Sequence, residues 1–217
     1  MNFNEARRRM VDSQVRTNDV TDIRLQTAME TIPREIFLPV ALRDQAYVER
    51  EIAYAPGRTL LTARDFSKLA AIAEPKAGDL VLNAVAGSGY STAILAQLVD
   101  MVVAVESDEE LSATAQENIN ALDLSNAAVL AGPCDAGAAE QGPFDLIFVG
   151  GAIEKRPDAL LSQLKDGGRL VTILRKAGVS RGVIYRRNGE AFACTEKFEA
   201  ATQAILPGFE AAKSFVF

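Results

Sequence analysis

A glycine turn between an apolar strand and a helix constrains this sequence more than any other feature. Residues 79–84 form an apolar, strand-like segment, residues 87–89 are Gly-Ser-Gly, and a helix is predicted over residues 90–98. Glycines at such a corner let the backbone approach a ligand closely, and the start of the helix favours a polar or anionic group. A tight turn without a ligand would have the same sequence, so the turn alone is a weak signal.

Strands and helices alternate regularly after Pro75. The strands are short apolar segments, and the helices between them carry apolar residues on one face. This alternation indicates parallel strands joined by right-handed crossovers. The predicted strands are residues 79–84, 101–105, 127–130, 144–149 and 169–174, and the predicted helices are 90–98, 107–122 and 157–164.

The two ends of the chain depart from this alternation. Residues 182–187 and 191–198 alternate in polarity around Asn188 and Gly189, a dipeptide that favours a two-residue type I′ hairpin. Residues before Pro75 are predicted to be mostly helical, with helices over 2–16 and 20–32 and a third one capped by Thr62. We therefore predict one α/β domain, residues 1–217, with an N-terminal helical subdomain (1–75) and a Rossmann-like core (76–217).

Composition excludes several classes of function. The net charge of −6 argues against a nucleic-acid surface, which needs clustered Lys and Arg. The chain has no histidine, and its two isolated cysteines, Cys134 and Cys194, predict neither a metal site nor a disulfide framework. We expect reduced thiols in a cytoplasmic protein. No apolar stretch reaches the roughly 20 residues of a membrane span, and the oligomeric state does not follow from the sequence.

A carboxylate follows the second strand of the alternating region. Glu106 stands 17 positions after Gly89, where folds of this kind bind the two hydroxyls of an adenosine ribose. The turn and Glu106 together predict an adenosine ligand, although Glu106 could simply precede a helix cap. Thr92 stands where dinucleotide-binding sequences have a third small residue, which favours S-adenosylmethionine over NAD. NAD-dependent oxidoreduction remains a weaker alternative.

The sequence also resembles the protein-L-isoaspartate O-methyltransferase family. The matching motifs occur in the same order as in that family. Residues 32–39 (IPREIFLP) are similar to its P-R-x-x-F-x-P segment, and residues 56–59 (PGRT) look like its G-x-T loop. Residues 82–90 stand where the family has E-x-G-x-G-S-G-Y. Residues 10–16, 142–147 and 161–170 resemble its opening helix and two later signatures.

The resemblance implies a Rossmann-like methyltransferase fold, with a mostly parallel seven-stranded sheet, an antiparallel C-terminal hairpin and an N-terminal helical cap. It also implies S-adenosylmethionine as cofactor and methylation of isoaspartyl carboxylates in damaged proteins or peptides. The loop that would cover the substrate contains the family's catalytic positions, Thr59 and Leu61. The implied cofactor-binding residues are Asn83, Val85, Gly87, Ser88, Gly89, Tyr90, Glu106, Pro133 and Cys134.

Several of these positions differ from the family's pattern. Asn83 replaces an acidic residue, Val85 replaces a glycine, Pro133 replaces an aspartate, and Leu61 replaces a substrate-contacting serine. Each change removes a charge, a hydrogen-bonding group or space for a ligand. Two alternatives therefore stay open: a methyltransferase of the same fold with a different acceptor, and a catalytically silent module that binds a partner.

Overall fold

The computed structural model describes residues 2–212. It contains two β-sheets flanked by helices. The α-helices are α1 (Phe3–Met10), α2 (Ile23–Thr31), α3 (Ala63–Ile72), α4 (Tyr90–Ala96), α5 (Glu109–Ala121) and α6 (Asp158–Leu161). The strands are β1 (Ile52–Ala55), β2 (Arg58–Leu60), β3 (Leu80–Asn83), β4 (Met101–Glu106), β5 (Ala127–Ala131), β6 (Phe144–Ile153), β7 (Leu164–Lys176), β8 (Val179–Asn188) and β9 (Ala191–Ala200).

The larger sheet has seven strands in the order β5-β4-β3-β6-β7-β8-β9. Strands β3 to β7 pair in parallel, whereas β8 pairs antiparallel with both β7 and β9. The predicted mostly parallel sheet with an antiparallel C-terminal hairpin is therefore confirmed. The chain proceeds outward from β3 to β5 and then returns to the other side of β3 at β6. This reversal of strand order opens a crevice at the carboxyl end of β3, where sheets of this kind bind ligands.

An aromatic cluster joins the N-terminal segment to the sheet beside this crevice. The ring of Tyr90, the first residue of α4, lies 5.4 Å from the ring of Phe37 and 5.1 Å from that of Phe66. Phe66, on α3, in turn lies 5.9 Å from Phe148 on β6. All four side chains are buried. Burial of such large side chains stabilises the contact between the N-terminal helices and the sheet.

The N-terminal segment is less uniformly helical than predicted. The helix expected over residues 2–16 is α-helical only to Met10 and continues as a π-helical turn over Val11–Val15. The segment also contains the antiparallel hairpin β1–β2, which pairs Ile52 with Leu60 and which the sequence analysis did not predict. Its strands are too short to show an alternating pattern. The predicted cap of α3 is confirmed, because the Thr62 side chain accepts a hydrogen bond from the Asp65 N–H.

Four further local predictions need correction. The helix expected from residue 107 begins later, because Asp108 caps α5. Asn188 pairs with Ala191, so the two-residue loop of the C-terminal hairpin begins at Gly189, one position later than predicted. Gly189 has a φ of 57°, the positive value that a type II′ turn requires at its first central position. Helix α6 is shorter than expected, and β7 starts five positions earlier, at Leu164.

None of the helices within residues 2–212 is long and apolar enough to cross a membrane.

A buried ion pair fastens the end of the N-terminal segment to the sheet. Arg169 on β7 contacts Asp79 through its Nη2 atom at 2.6 Å, and the side chains are 5% and 8% exposed. The same guanidinium donates hydrogen bonds to the carbonyl oxygens of Ala73 and Glu74. With a further hydrogen bond of 3.1 Å to the Asp145 carbonyl, one arginine satisfies a carboxylate and three carbonyls at the amino-terminal edge of β3, opposite the crevice.

Replacing this arginine should therefore destabilise the fold strongly. In Arg169→Ala, the Asp79 carboxylate stays buried without its cation, and we expect the free energy of unfolding to fall by about 3–5 kcal/mol. Urea denaturation at neutral pH measures this change. The control is Arg181→Ala, which breaks an exposed pair with Glu196 and should cost at most about 1 kcal/mol. Equal effects in the two variants would contradict the structural role of Arg169.

Candidate active site

The glycine turn lies between β3 and α4, at the crevice. Gly87 has a φ of 54° and Gly89 a φ of 103°, both in the region that side chains rarely adopt. A Cβ atom on Gly89 would also lie 3.3 Å from the backbone of Ala115 on α5. Conformation and close packing therefore both require glycine at position 89.

The carboxylate of Glu106 reaches this turn from the end of β4. The side chain is fully buried. Its Oε2 atom accepts a hydrogen bond of 2.8 Å from the Gly87 N–H, and its Oε1 atom accepts one of 3.0 Å from the Asp108 N–H. The structure thus places together two residues that the sequence analysis assigned to one ligand site.

Arg58, on β2, forms an ion pair with the same carboxylate. Its Nε atom donates to Glu106 Oε2 at 3.0 Å, and its Nη2 atom donates to Oε1. Nη2 also lies 2.9 Å from Ser107 Oγ. The side chains of Arg58 and Glu106 are 5% and 0% exposed. The sequence analysis did not identify Arg58, because nothing in the sequence showed that β2 would cross the end of β4.

This pairing determines the ionisation of the site. Burial opposes ionisation of Glu106, but hydrogen bonds from Arg58 and from two backbone N–H groups outweigh it and lower the pKa of the carboxyl. Burial and the charge of Glu106 raise the pKa of the Cys134 thiol. Cys134 is therefore a protonated packing residue at neutral pH and not a nucleophile.

A second side chain from the β1–β2 hairpin covers the glycine turn. The Tyr54 hydroxyl accepts a hydrogen bond of 3.2 Å from the Ser88 N–H. A Cβ atom on Gly87 would lie 2.1 Å from that hydroxyl oxygen. The Ser88 hydroxyl itself donates to the carbonyl of Phe37 at 2.6 Å. Two of the turn residues predicted to hold a ligand are thus in contact with other groups of the same chain.

The cavity that remains at the crevice is small. Its volume is about 40 Å³, enough for a few water molecules at about 10–15 Å³ each. Sites for drug-sized ligands have volumes of roughly 300–1,000 Å³. With Arg58 and Tyr54 in these positions, the cavity is too small for an adenosyl ligand. The lining includes Arg34, Tyr54, Arg58, Thr59, Leu61, Val85, Gly87, Ser88 and Tyr90.

Asn83 ends β3 next to the turn and has a free acceptor atom. Its side-chain nitrogen donates to the hydroxyls of Ser91 and Thr92, at 2.8 Å each. Its Oδ1 atom is buried and has no hydrogen-bond partner among residues 2–212. Because a buried acceptor without a partner is costly, the orientation of Asn83 suits a ligand that donates a hydrogen bond there.

The remaining predicted residues fall into two groups. Thr59 and Leu61 line the same cavity as the glycine turn, and the Leu61 carbonyl accepts a hydrogen bond from the buried Arg34. Cys134 lies beside Arg58 at the edge of this cluster. Pro133 instead lines a separate groove beyond β5. Residues 2–212 contain no group of three His, Cys, Asp or Glu side chains that could hold a metal ion.

The sequence matches one protein family over most of its length. The family model described as Protein-L-isoaspartate(D-aspartate) O-methyltransferase (PCMT) matches residues 5–201. A protein-L-isoaspartate O-methyltransferase from Koribacter versatilis is 35% identical over 165 residues, which are 76% of this chain and 74% of that protein. One from Yersinia enterocolitica is 36% identical over 177 residues, with coverages of 82% and 85%.

Solved structures support the same fold. A protein-L-isoaspartate O-methyltransferase superimposes with a TM-score of 0.78 at 22% identity, over 94% of this chain and 66% of that one. A beta-aspartate methyltransferase (PCMT) from Plasmodium falciparum, in complex with S-adenosyl-L-homocysteine, has a TM-score of 0.76 at 17% identity, over 92% and 97% of the two chains. The extent of the sequence match, on a sheet of this order and with the crevice in this position, shows that the chain belongs to the protein-L-isoaspartate(D-aspartate) O-methyltransferase family.

Proposed function

We propose that this protein is an S-adenosylmethionine-dependent O-methyltransferase that methylates carboxylates of isoaspartyl residues in damaged proteins or peptides. The observation that carries the proposal is the contact between the Glu106 carboxylate and the Gly87 N–H, at 2.8 Å. It lies at the crevice of a chain that matches the family over residues 5–201. The acceptor class follows from the family and not from the geometry of the site.

The donor set of the crevice fits S-adenosylmethionine. The Oδ1 atom of Asn83, which has no partner within residues 2–212, can accept a hydrogen bond from the ammonium of the cofactor. Once Tyr54 has moved, the backbone of the glycine turn can approach the methionine part. The Glu106 carboxylate can accept the two ribose hydroxyls. We assign Val85, Ser88 and Tyr90 to the wall of this site, and Pro133 and Cys134 to its adenine side.

Methyl transfer from S-adenosylmethionine to a carboxylate requires the protein mainly to position the two reactants. When bound, S-adenosylmethionine supplies a methyl group that is already activated by its sulfonium. A carboxyl acceptor is already ionised at neutral pH, because its ordinary pKa is about 4. The site must therefore orient the acceptor and exclude water, and it needs no general base. A chain without histidine can meet these requirements.

Thr59 and Leu61 are the residues that we assign to the acceptor side. Both line the cavity, and Leu61 is buried. Leucine offers an apolar contact where the family has a serine, so position 61 can orient an acceptor by shape but not by a side-chain hydrogen bond, which leaves the Thr59 hydroxyl as the polar group of this wall. The same observation favours a second candidate function, methylation of a different and less polar carboxylate. A silent binding module is the third candidate, favoured by the side chains that fill the site.

Composition and family membership support our proposals on the substrates and the cellular location of the protein. The family acts on protein substrates, and we propose that this chain does so without binding nucleic acid. Cys134 and Cys194 are both free, which supports our assignment to the reducing cytoplasm. We also propose that residues 1–75 and 76–217 form one functional domain, because the cavity is lined by both segments.

Methyl transfer to an isoaspartyl peptide tests the proposed function directly. With labelled S-adenosylmethionine, we expect base-labile label in the isoaspartyl peptide and none in the same peptide with an ordinary aspartyl linkage. Label in neither peptide, but in one of a panel of small carboxylic acids, would replace isoaspartyl residues with another acceptor. No transfer at high enzyme concentration, together with no binding of S-adenosylhomocysteine, would leave the silent module.

The charge of Glu106 should be visible in the pH dependence of stability. The pKa of Glu106 is lowered in the folded protein, so the ionised carboxylate stabilises the fold. This contribution to the free energy of unfolding is complete above the unfolded pKa of about 4.3, and it is lost as the pH falls through the lower pKa of the folded protein. Between about pH 6 and pH 3, the free energy of unfolding should decline less steeply in Glu106→Gln than in the wild type. Urea denaturation at a series of pH values measures this, and parallel declines would mean that Glu106 is not held ionised.

A further inference from the structure

Arg58 lies between the two parts of the site that the proposed function distinguishes. Its backbone belongs to β2, directly before Thr59, on the segment that we assign to the acceptor. Its guanidinium contacts Glu106, the residue that we assign to the cofactor ribose. Glu106 is the only carboxylate with which Arg58 forms an ion pair among residues 2–212.

We propose that Arg58 changes partners when ligands bind. In the ligand-free protein it pairs with Glu106. Once ribose hydroxyls have taken its place there, Arg58 binds one carboxylate oxygen of the methyl acceptor. The inference rests on the proposed function and adds to it an acceptor-binding residue and an order of binding, with the cofactor first.

The hydrogen bonds of Glu106 show why Arg58 must leave. A carboxylate has about four acceptor positions, and four N–H donors fill them. Oε2 accepts from Arg58 Nε and from the Gly87 N–H, and Oε1 accepts from Arg58 Nη2 and from the Asp108 N–H. The Ser107 hydroxyl adds a longer contact of 3.4 Å to Oε1. The two backbone donors are fixed by the turn and by the start of α5. The Ser107 hydroxyl can rotate away, so ribose hydroxyls gain acceptors chiefly in the two positions that Arg58 holds.

The surroundings of Arg58 show why it then needs another anion. Its side chain is 5% exposed, and its other oxygen contacts are neutral: the Gly57 carbonyl at 3.1 Å and Ser107 Oγ at 2.9 Å. A buried guanidinium without a counter-ion is unfavourable. The acceptor supplies a carboxylate, and Leu61 supplies no competing hydrogen-bond donor beside it. Binding of the cofactor thus creates the anion site for the acceptor, and the two ligands should bind with positive coupling.

The first arm of the test measures the affinity for S-adenosylhomocysteine by titration calorimetry. In Arg58→Ala nothing competes with the ribose for Glu106, so we expect binding to tighten by about fivefold or more. Arg58→Lys keeps the charge but loses the paired geometry, and it should fall between Arg58→Ala and the wild type. The matched control is Arg169→Ala, because Arg169 is equally buried and pairs with a carboxylate at the opposite edge of the sheet. Its affinity should equal that of the wild type under conditions where circular dichroism shows it folded.

The second arm measures methylation of an isoaspartyl peptide at saturating S-adenosylmethionine. In Arg58→Ala the KM for the peptide should rise by about tenfold or more, because a hydrogen bond to a charged group is lost, while kcat changes little. Arg58→Lys should recover part of this loss. If Arg58 had only a structural role, Arg58→Ala would weaken the binding of both ligands. If Arg58 exchanges partners, the substitution tightens S-adenosylhomocysteine binding and weakens peptide binding.

The outcomes separate this inference from the proposed function. If the wild type methylates the peptide and Arg58→Ala binds S-adenosylhomocysteine no more tightly, or shows an unchanged KM, partner exchange is wrong and the function stands. If the wild type methylates no isoaspartyl peptide while Arg58→Ala tightens S-adenosylhomocysteine binding, the function fails, and only the competition for Glu106 survives. Should Arg58→Ala not fold, Arg58→Lys must show the same two opposite shifts at smaller size, and their absence overturns the inference.

Discussion

The buried ion pair between Arg58 and Glu106 closes the crevice of this protein at the end of β4. It joins the β1–β2 hairpin to the end of β4, and it occupies the acceptor positions that a ribose would use. Tyr54, from the same hairpin, covers the glycine turn at Gly87. One short hairpin thus contacts both halves of the site, the carboxylate of Glu106 and the glycine turn.

The differences from the family's motifs have specific structural consequences. The side-chain nitrogen of Asn83 donates to the hydroxyls of Ser91 and Thr92, and its Oδ1 atom has no partner within residues 2–212. Leu61 presents an apolar side chain at the cavity, while its carbonyl is held by the buried Arg34. Both substitutions thus change the polar groups that the crevice presents, and both residues keep hydrogen bonds to neighbours in the same fold.

The sequence predicted the sheet well because apolar strands, glycine turns and capped helices are local patterns. The parallel core and the assignment of the glycine turn and Glu106 to one site follow from such patterns, whereas the strand order and the hydrogen bond between Gly87 and Glu106 were not predicted. The β1–β2 hairpin could not be predicted, since its strands of four and three residues are too short for periodicity. Arg58 was missed for the same reason: its partner is 48 residues away, and only the position of the hairpin brings the two together.

The central claim is that Arg58 and the cofactor ribose compete for one carboxylate. A crystal structure of the protein with S-adenosylhomocysteine tests it most directly. We predict that both ribose hydroxyls donate to Glu106, that the Gly87 and Asp108 N–H contacts persist, and that the Arg58 guanidinium has left the carboxylate. A structure in which the bound ligand leaves the pair between Arg58 and Glu106 intact would contradict this account.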